Sequence, residues 1–242
     1  MEEAMKKFKD IKLKTKLTAV FLLVGLLPLA VLGVIAVVSS GDTISRQVFN
    51  QLVTVRELKK AQVESFFQGR ISDISAFAEN PFTANAAGKL QEAFEKAGGV
   101  EKGGFTGKNN GRYDAPASYK AVHDKFHPVF KSYMEKHGYH DILLLGPENG
   151  DILFTVTKQN DFGKRASNIE SSLRSAWQKA VRKNQTAISD TRPYPPAGNL
   201  PAQFIAAPIE ENGKIMGILA FELSFEHINE IMKERYGMGK NE

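Results

Sequence analysis

Residues 202–223 read AQFIAAPIEENGKIMGILAFEL, two apolar runs of strand length on either side of Glu211-Asn212-Gly213. Asn-Gly supplies the two positive-φ positions that a tight hairpin turn demands, so the stretch predicts strands over Gln203–Ile209 and Lys214–Leu223. Towards the N-terminus, Tyr139–Leu145 and Asp151–Thr157 are two further apolar runs. Gly146-Pro147-Glu148-Asn149-Gly150 between them is a turn by composition, which makes this pair a second hairpin. Between the hairpins, Ile169–Lys183 has the spacing of an amphipathic helix carrying Trp177, and Thr186–Thr191 fits a fifth strand. Helical periodicity also marks Ser118–His137, closed by Gly138, and a last helix over Phe225–Lys233. The order helix, two strands, helix, three strands, helix predicts an α+β domain. Its core is an antiparallel five-stranded sheet with helices on one face.

Upstream the pattern is helical. Gly98–Pro116 is a Gly-rich polar loop, and Phe82–Lys96 reads as a short helix. Thr43–Glu79 has no Pro and one Gly, with apolar positions at Ile44, Val48, Leu52 and Val55 that resume at Val63, Phe66, Phe67, Ile71, Ile74 and Phe77. That spacing predicts one helix of roughly 55 Å, stopped by Asn80-Pro81. It is longer than a small domain needs, so it stands as a stalk or pairs with a second copy. Before it, Leu17–Val38 runs for 22 residues without a charge. As a helix this covers roughly 33 Å, the thickness of a bilayer core. A cleaved signal peptide has a shorter apolar stretch and a clean A-x-A site, which Ser39-Ser40 does not follow. An uncleaved anchor is the expectation. Six Lys in residues 1–16 precede the span, whereas Arg46 alone is basic in the fifteen residues beyond it. Basic flanks stay cytoplasmic, which predicts the N-terminus inside and residues 39–242 outside, periplasmic in a bacterium.

Composition narrows the chemistry. The 242 residues include no Cys, which removes disulfides, thiolate metal sites and cysteine nucleophiles. The net charge of +5 is concentrated in the first sixteen residues, leaving little to attract nucleic acid elsewhere. His123 and His127 share a helical face in HDKFH, but no third ligand stands near them and a packing role is favoured over metal. Gly103–Asn109 lacks the Gly and the Ser or Thr of a phosphate loop. No strand–turn–helix elbow presents a nucleophile. The expectation is a protein that is not an enzyme and needs no cofactor.

A basic tail, a Pro-containing span, a long outer helix and a PAS-like sheet form a layout that resembles the Cache-domain sensors of bacteria, chiefly methyl-accepting chemotaxis receptors. Val55–Pro81 resembles their first outer helix, Tyr119–Gly163 their helix-plus-hairpin block and Ala202–Leu223 their closing hairpin. The resemblance implies a basic tail (1–16), a transmembrane helix (17–38), an extracytoplasmic helical stalk and loop (39–116), a PAS-like Cache module (117–235) and a linker (236–242). That linker resembles the start of a second module, so the chain is expected to be the N-terminal anchor and sensor of a longer receptor. Related outer regions also precede kinases and cyclases, and a ligand-free anchor that binds a periplasmic partner is the other reading.

In Cache modules small ligands lie between the sheet and its covering loops. Ser189–Pro196 (SDTRPYPP) is a Pro-stiffened polar and aromatic segment, which loses little entropy on binding. Carried over, the resemblance implies a ligand site of Phe154, Lys158, Asp190, Tyr194 and Phe204. Lys158 and Asp190 would grip the two ends of an amino acid; the ligand class is amino acids or organic acids. The partners expected are that small molecule, the membrane and a second copy paired through the long helix.

Overall fold

Leu13–Ala78 is one unbroken helix, α1, in a computed structural model that describes residues 12–102, 104–109 and 112–234. Span and stalk were expected as two helices, yet the backbone stays helical through Ser39-Ser40-Gly41-Asp42. A single interior Gly costs a helix only about 1 kcal/mol, too little to break one this long. Pro28 lies inside it. The segment Leu13–Ala36 has a mean hydropathy of 2.8 with none of it buried, so α1 is long and apolar enough to cross a membrane. Two compact units follow from the contacts, Met1–Lys60 and Ala61–Glu242.

The second unit begins within α1. Its chain stops being helical at Ala78 and restarts as α2, Pro81–Lys96, where the Asn80 side chain accepts the Phe82 N–H at 2.9 Å and Pro81 fills the first helical position. Pro there costs nothing because that N–H has no helical acceptor. The loop that follows contains a short ribbon, β1 (Thr106–Asn109) with β2 (Arg112–Asp114). Helix α3, Ala117–His137, ends at Gly138, whose φ of 70° lets its N–H reach back to the Met134 carbonyl.

The central sheet is antiparallel and five-stranded, in the order β4-β3-β9-β8-β5. Its strands are β3 (Tyr139–Leu145), β4 (Ile152–Thr155), β5 (Ala187–Ile188), β8 (Phe204–Glu211) and β9 (Lys214–Leu223). Helix α4 (Ser172–Lys183) connects the two hairpins and α5 (Glu226–Lys233) follows β9. Asn212 and Gly213 turn the β8–β9 hairpin at φ 53° and 75°, the mirror-image turn that matches strand twist. The fifth strand is two residues long rather than six. Beyond Ser189 the chain leaves the sheet edge and builds a separate ribbon, β6 (Arg192–Tyr194) with β7 (Leu200–Ala202).

Helices cover both faces of this sheet, not one. On the first face the end of α1 (Ile74, Phe77), α2 (Leu90, Phe94) and α3 (Tyr119, Phe126, Phe130) pack on Ile142, Leu144, Leu219 and Phe221. On the second, α4 sets Leu173, Ala176, Trp177 and Ala180 against Leu143, Leu145, Ala206, Ile218 and Ala220. The strands required this, since their apolar residues run continuously instead of alternating with polar ones. The Trp177 Nε1–H donates to the Gly146 carbonyl at 3.1 Å, so α4 also holds the β3–β4 turn. Helix α4 covers only part of the second face; the rest, at the Asp141 and Glu222 end, is covered by irregular chain.

Candidate functional site

Register fixes what lies on the end of the second face that α4 leaves to the other segments. Asp141 of β3 stands opposite Glu222 of β9, and Glu222 stands opposite Phe204 of β8, so the three share a face with Leu143, Ala220 and Ala206. Two segments close over them. Residues 156–161 leave the end of β4 and bring Gln159 and Asp161; residues 189–202 leave β5 and bring Tyr194. Tyr194 lies 5.1 Å from Phe204 between ring centroids, edge to face, and its hydroxyl donates to Asp161 Oδ2. Gln159 Nε2 donates to Glu222 Oε2 at 3.3 Å. Ser189 holds the lid to the floor: its Oγ accepts the Phe204 N–H at 3.0 Å, and its carbonyl accepts from Gln203 Nε2 at 2.8 Å.

Three carboxyl groups are thus buried together, with Asp141 and Asp161 1% exposed and Glu222 6%. They are not alike. Asp141 is saturated: Thr155 and Thr157 hydroxyls donate to Oδ2 at 2.5 Å each, and the Ile142, Val156 and Thr157 N–H groups donate to Oδ1. Burial pushes its pKa up, and those donors pull against the rise. Every bond it makes is accepted, the geometry of a carboxylate that ties β3 to the chain leaving β4. Asp161 is pushed up to about 6, mainly by burial, with the Tyr194 hydroxyl opposing. Glu222 is pushed up to about 8 by burial first and then by Asp141 and Asp161. Burial and Asp161 also raise the Tyr194 hydroxyl. Asp161 Oδ1 and Gln159 Oε1 are buried and meet no hydrogen-bond donor. Such atoms cost about 1–3 kcal/mol each, so a native site that keeps them has a use for them.

The expected site residues divide. Tyr194 and Phe204 meet on this face. Phe154 does not join them: it packs on the first face, 5.0 Å from Phe130 and 5.2 Å from His123 between ring centroids. Leu145 pairs with Ile152 and Leu144 with Phe154, which leaves Leu153 as an extra residue in β4. This bulge turns Phe154 to the face opposite Ile152, away from the site that the resemblance implied for it. Lys158 follows it away. With φ 57°, it directs Nζ to the Val156 carbonyl at 3.2 Å and over the Tyr113 ring at 4.6 Å. Asp190 is exposed. The grip between Lys158 and Asp190 is therefore not formed. His123 sits beside Lys158, and burial pushes it down to about 4, so it is neutral at pH 7. Asp141, Gln159, Asp161 and Glu222 were not anticipated. Asp141 and Glu222 carried a signal, each being a charge at a core-facing position of an apolar strand; Asp161, in a loop, carried none.

No family model matches the chain, and no curated protein is similar to it in sequence. Solved structures are. The sensor domain of the V. cholerae histidine kinase DctB superposes with a TM-score of 0.54 at 9% identity, over 78% of this chain and 61% of that one. The ligand-binding domain of the Campylobacter jejuni chemoreceptor Tlp3, in complex with L-valine, gives a TM-score of 0.50 at 14% identity, over 76% and 62%. The chain has a Cache-type, PAS-like sensor fold. It spans about three fifths of the length of these solved domains. Within the Cache-type module, the site lies between the second sheet face and the segments that cover it.

The raised acids make the module's stability depend on pH. Folding lifts Asp161 from 3.8 to about 6 and Glu222 from 4.5 to about 8, so the folded state holds protons that the unfolded chain has released. Stability is therefore full in acid and is lost as the pH rises through that window. Asp161→Asn and Glu222→Gln should each flatten the profile, gaining on the order of 3 kcal/mol over the wild type between pH 4 and pH 8. Urea unfolding of the ligand-free protein at the two pH values measures this; parallel profiles for wild type and both variants would contradict the burial of these groups.

Proposed function

We propose that the chain is the ligand-sensing region of a bacterial transmembrane receptor. It binds a small polar molecule on the second sheet face and passes the change to downstream domains. One observation carries the reading: buried, unpaired polar atoms on Asp161 and Gln159 lie under a Pro-stiffened segment, beside the rings of Tyr194 and Phe204. Enclosed sites with a few converging polar groups and perturbed acids are where small molecules bind. The sensor fold supports the reading, as does the Tlp3 domain's complex with L-valine. Chemotaxis is the output favoured; the DctB likeness keeps a kinase output as the alternative. Of the five residues first expected at the ligand, Tyr194 and Phe204 remain in this proposal. Phe154 lies on the opposite face, Lys158 is turned to Tyr113 and Asp190 is exposed, so the three leave the proposal.

The membrane and dimer readings belong to the same proposal. α1 anchors the chain with its basic end inside, residues 39–242 outside, and the exposed stripe of Ile44, Val48 and Leu52, about half accessible, pairs with a second copy. Val55, expected on that stripe, is buried. Water is a poor neighbour for such a stripe, and a homodimer covers it.

Two experiments test these statements. In a thermal-shift screen of the full chain in detergent, at least one compound among amino acids, amines, organic acids and purines should raise the melting temperature. A ligand at 100 times its Kd adds about 2.7 kcal/mol. The shift should vanish in Tyr194→Ala; a panel without effect on wild type contradicts sensing. Single cysteines along Ile44–Leu52 should react with an impermeant maleimide added outside the cells and crosslink every third or fourth position. Protection from the reagent would reverse the orientation, and uniform or absent crosslinking would contradict the helix pair.

A further inference from the structure

We propose that the site selects an organic amine, a cation carrying no carboxylate, over amino acids and organic acids. This rests on the sensor reading above and goes further by fixing the charge of the ligand.

The donors on this face are already committed. The Thr155 and Thr157 hydroxyls donate to Asp141, the Tyr194 hydroxyl to Asp161, Gln159 Nε2 to Glu222 and Gln203 Nε2 to the Ser189 carbonyl. What remains buried and unpaired is acceptor only: Asp161 Oδ1, on a side chain 1% exposed, and Gln159 Oε1. A ligand that satisfies this site must bring donors, and an alkylammonium brings three. A ligand carboxylate would need a cation, or more donors than the one proton that Glu222 keeps below about pH 8. Lys158 is turned to Tyr113 on the other side, and Arg192 is exposed. Lys164, whose charge lowers Asp161, is exposed.

Charge points the same way. Asp141 raises both Asp161 and Glu222, and Asp161 raises Glu222 further. A positive ligand relieves that repulsion, whereas a zwitterion restores it by adding a negative end. A bare metal ion is not served, since among the described residues no three His, Asp or Glu groups gather closely enough to hold one. An organic cation reaches between wider-set oxygens. The rings of Tyr194 and Phe204 then offer apolar contact to its carbon chain and negative ring faces to its charge.

The test removes one charged group at a time from a fixed carbon skeleton. The full chain in detergent is titrated by calorimetry with three sets: propylamine, 2-aminobutanoate and butanoate; isobutylamine, valine and 3-methylbutanoate; phenethylamine, phenylalanine and 3-phenylpropanoate. At least one amine should bind at least about tenfold more tightly than both of its partners, the scale of one charged hydrogen bond. Asp161→Asn and Glu222→Gln should each weaken that amine by about tenfold or more, while Arg192→Ala leaves it unchanged. An amino acid or carboxylate that equals or exceeds its amine overturns the assignment and leaves the sensor reading standing. An amine whose affinity survives both acid substitutions overturns it too, because the site then lies elsewhere. No binding across all nine compounds overturns the amine assignment, and the sensor reading falls with it when the wider thermal-shift panel is also without effect. Should either variant fail to fold, the order of affinities on the wild type still decides.

Discussion

Two carboxyl groups, Asp141 and Glu222, face each other across adjacent strands on a buried sheet surface. Like charges in that position destabilise a sheet, and burial adds to the cost. Everything around them reads as an answer to that constraint. Asp141 is met by five donors, four of them drawn from the end of β4, which makes the chain there wrap inward and delivers Gln159 and Asp161. Glu222 receives one amide and a proton. Phe204, next in register, gives the apolar half of the site, and the ribbon of β6 and β7 presses Tyr194 onto it. The sheet edge is short because the chain is diverted to make that cover.

The same constraint separates stability from function. Leu143, Leu145, Ile218 and Ala220 meet α4 in ordinary close packing, so half of the second face is core. The other half holds polar atoms that the fold alone does not satisfy. A folded chain tolerates a few such atoms where a ligand completes them, and binding then recovers what folding left unmet. The short β5 and the irregular covering segments suit this role. They are joined to the floor through hydrogen bonds such as those of Ser189 and of Thr157.

Much of the fold was legible because its signals are local. Asn212-Gly213, Asn80-Pro81 and Gly138 each dictate a backbone conformation through their own chemistry, and each acts in the structure as read. The charge-free N-terminal run was equally plain. What escaped were features set by distance along the chain. The bulge at Leu153 is decided by pairing with β3, and it sent Phe154 to the wrong face of the reading. The second helical layer was implied by strands apolar on both sides, but only if α4 is known to cross over. In the site, Tyr194 was signalled by its Pro-rich surroundings. Asp141 and Glu222 were visible as charges out of place in YHDILLL and GILAFEL, and Asp161 became meaningful only through Tyr194 and its unpaired oxygen.

The most direct measurement is the titration of the two acids themselves. Carboxyl carbon NMR of the ligand-free full chain, with Asp161→Asn and Glu222→Gln for assignment, reports each ionisation separately. Glu222 should titrate near 8 and Asp161 near 6. If both titrate in the ordinary range of about 3.5–4.5, they are solvated, the buried acidic site does not exist, and the ligand must be sought on another surface.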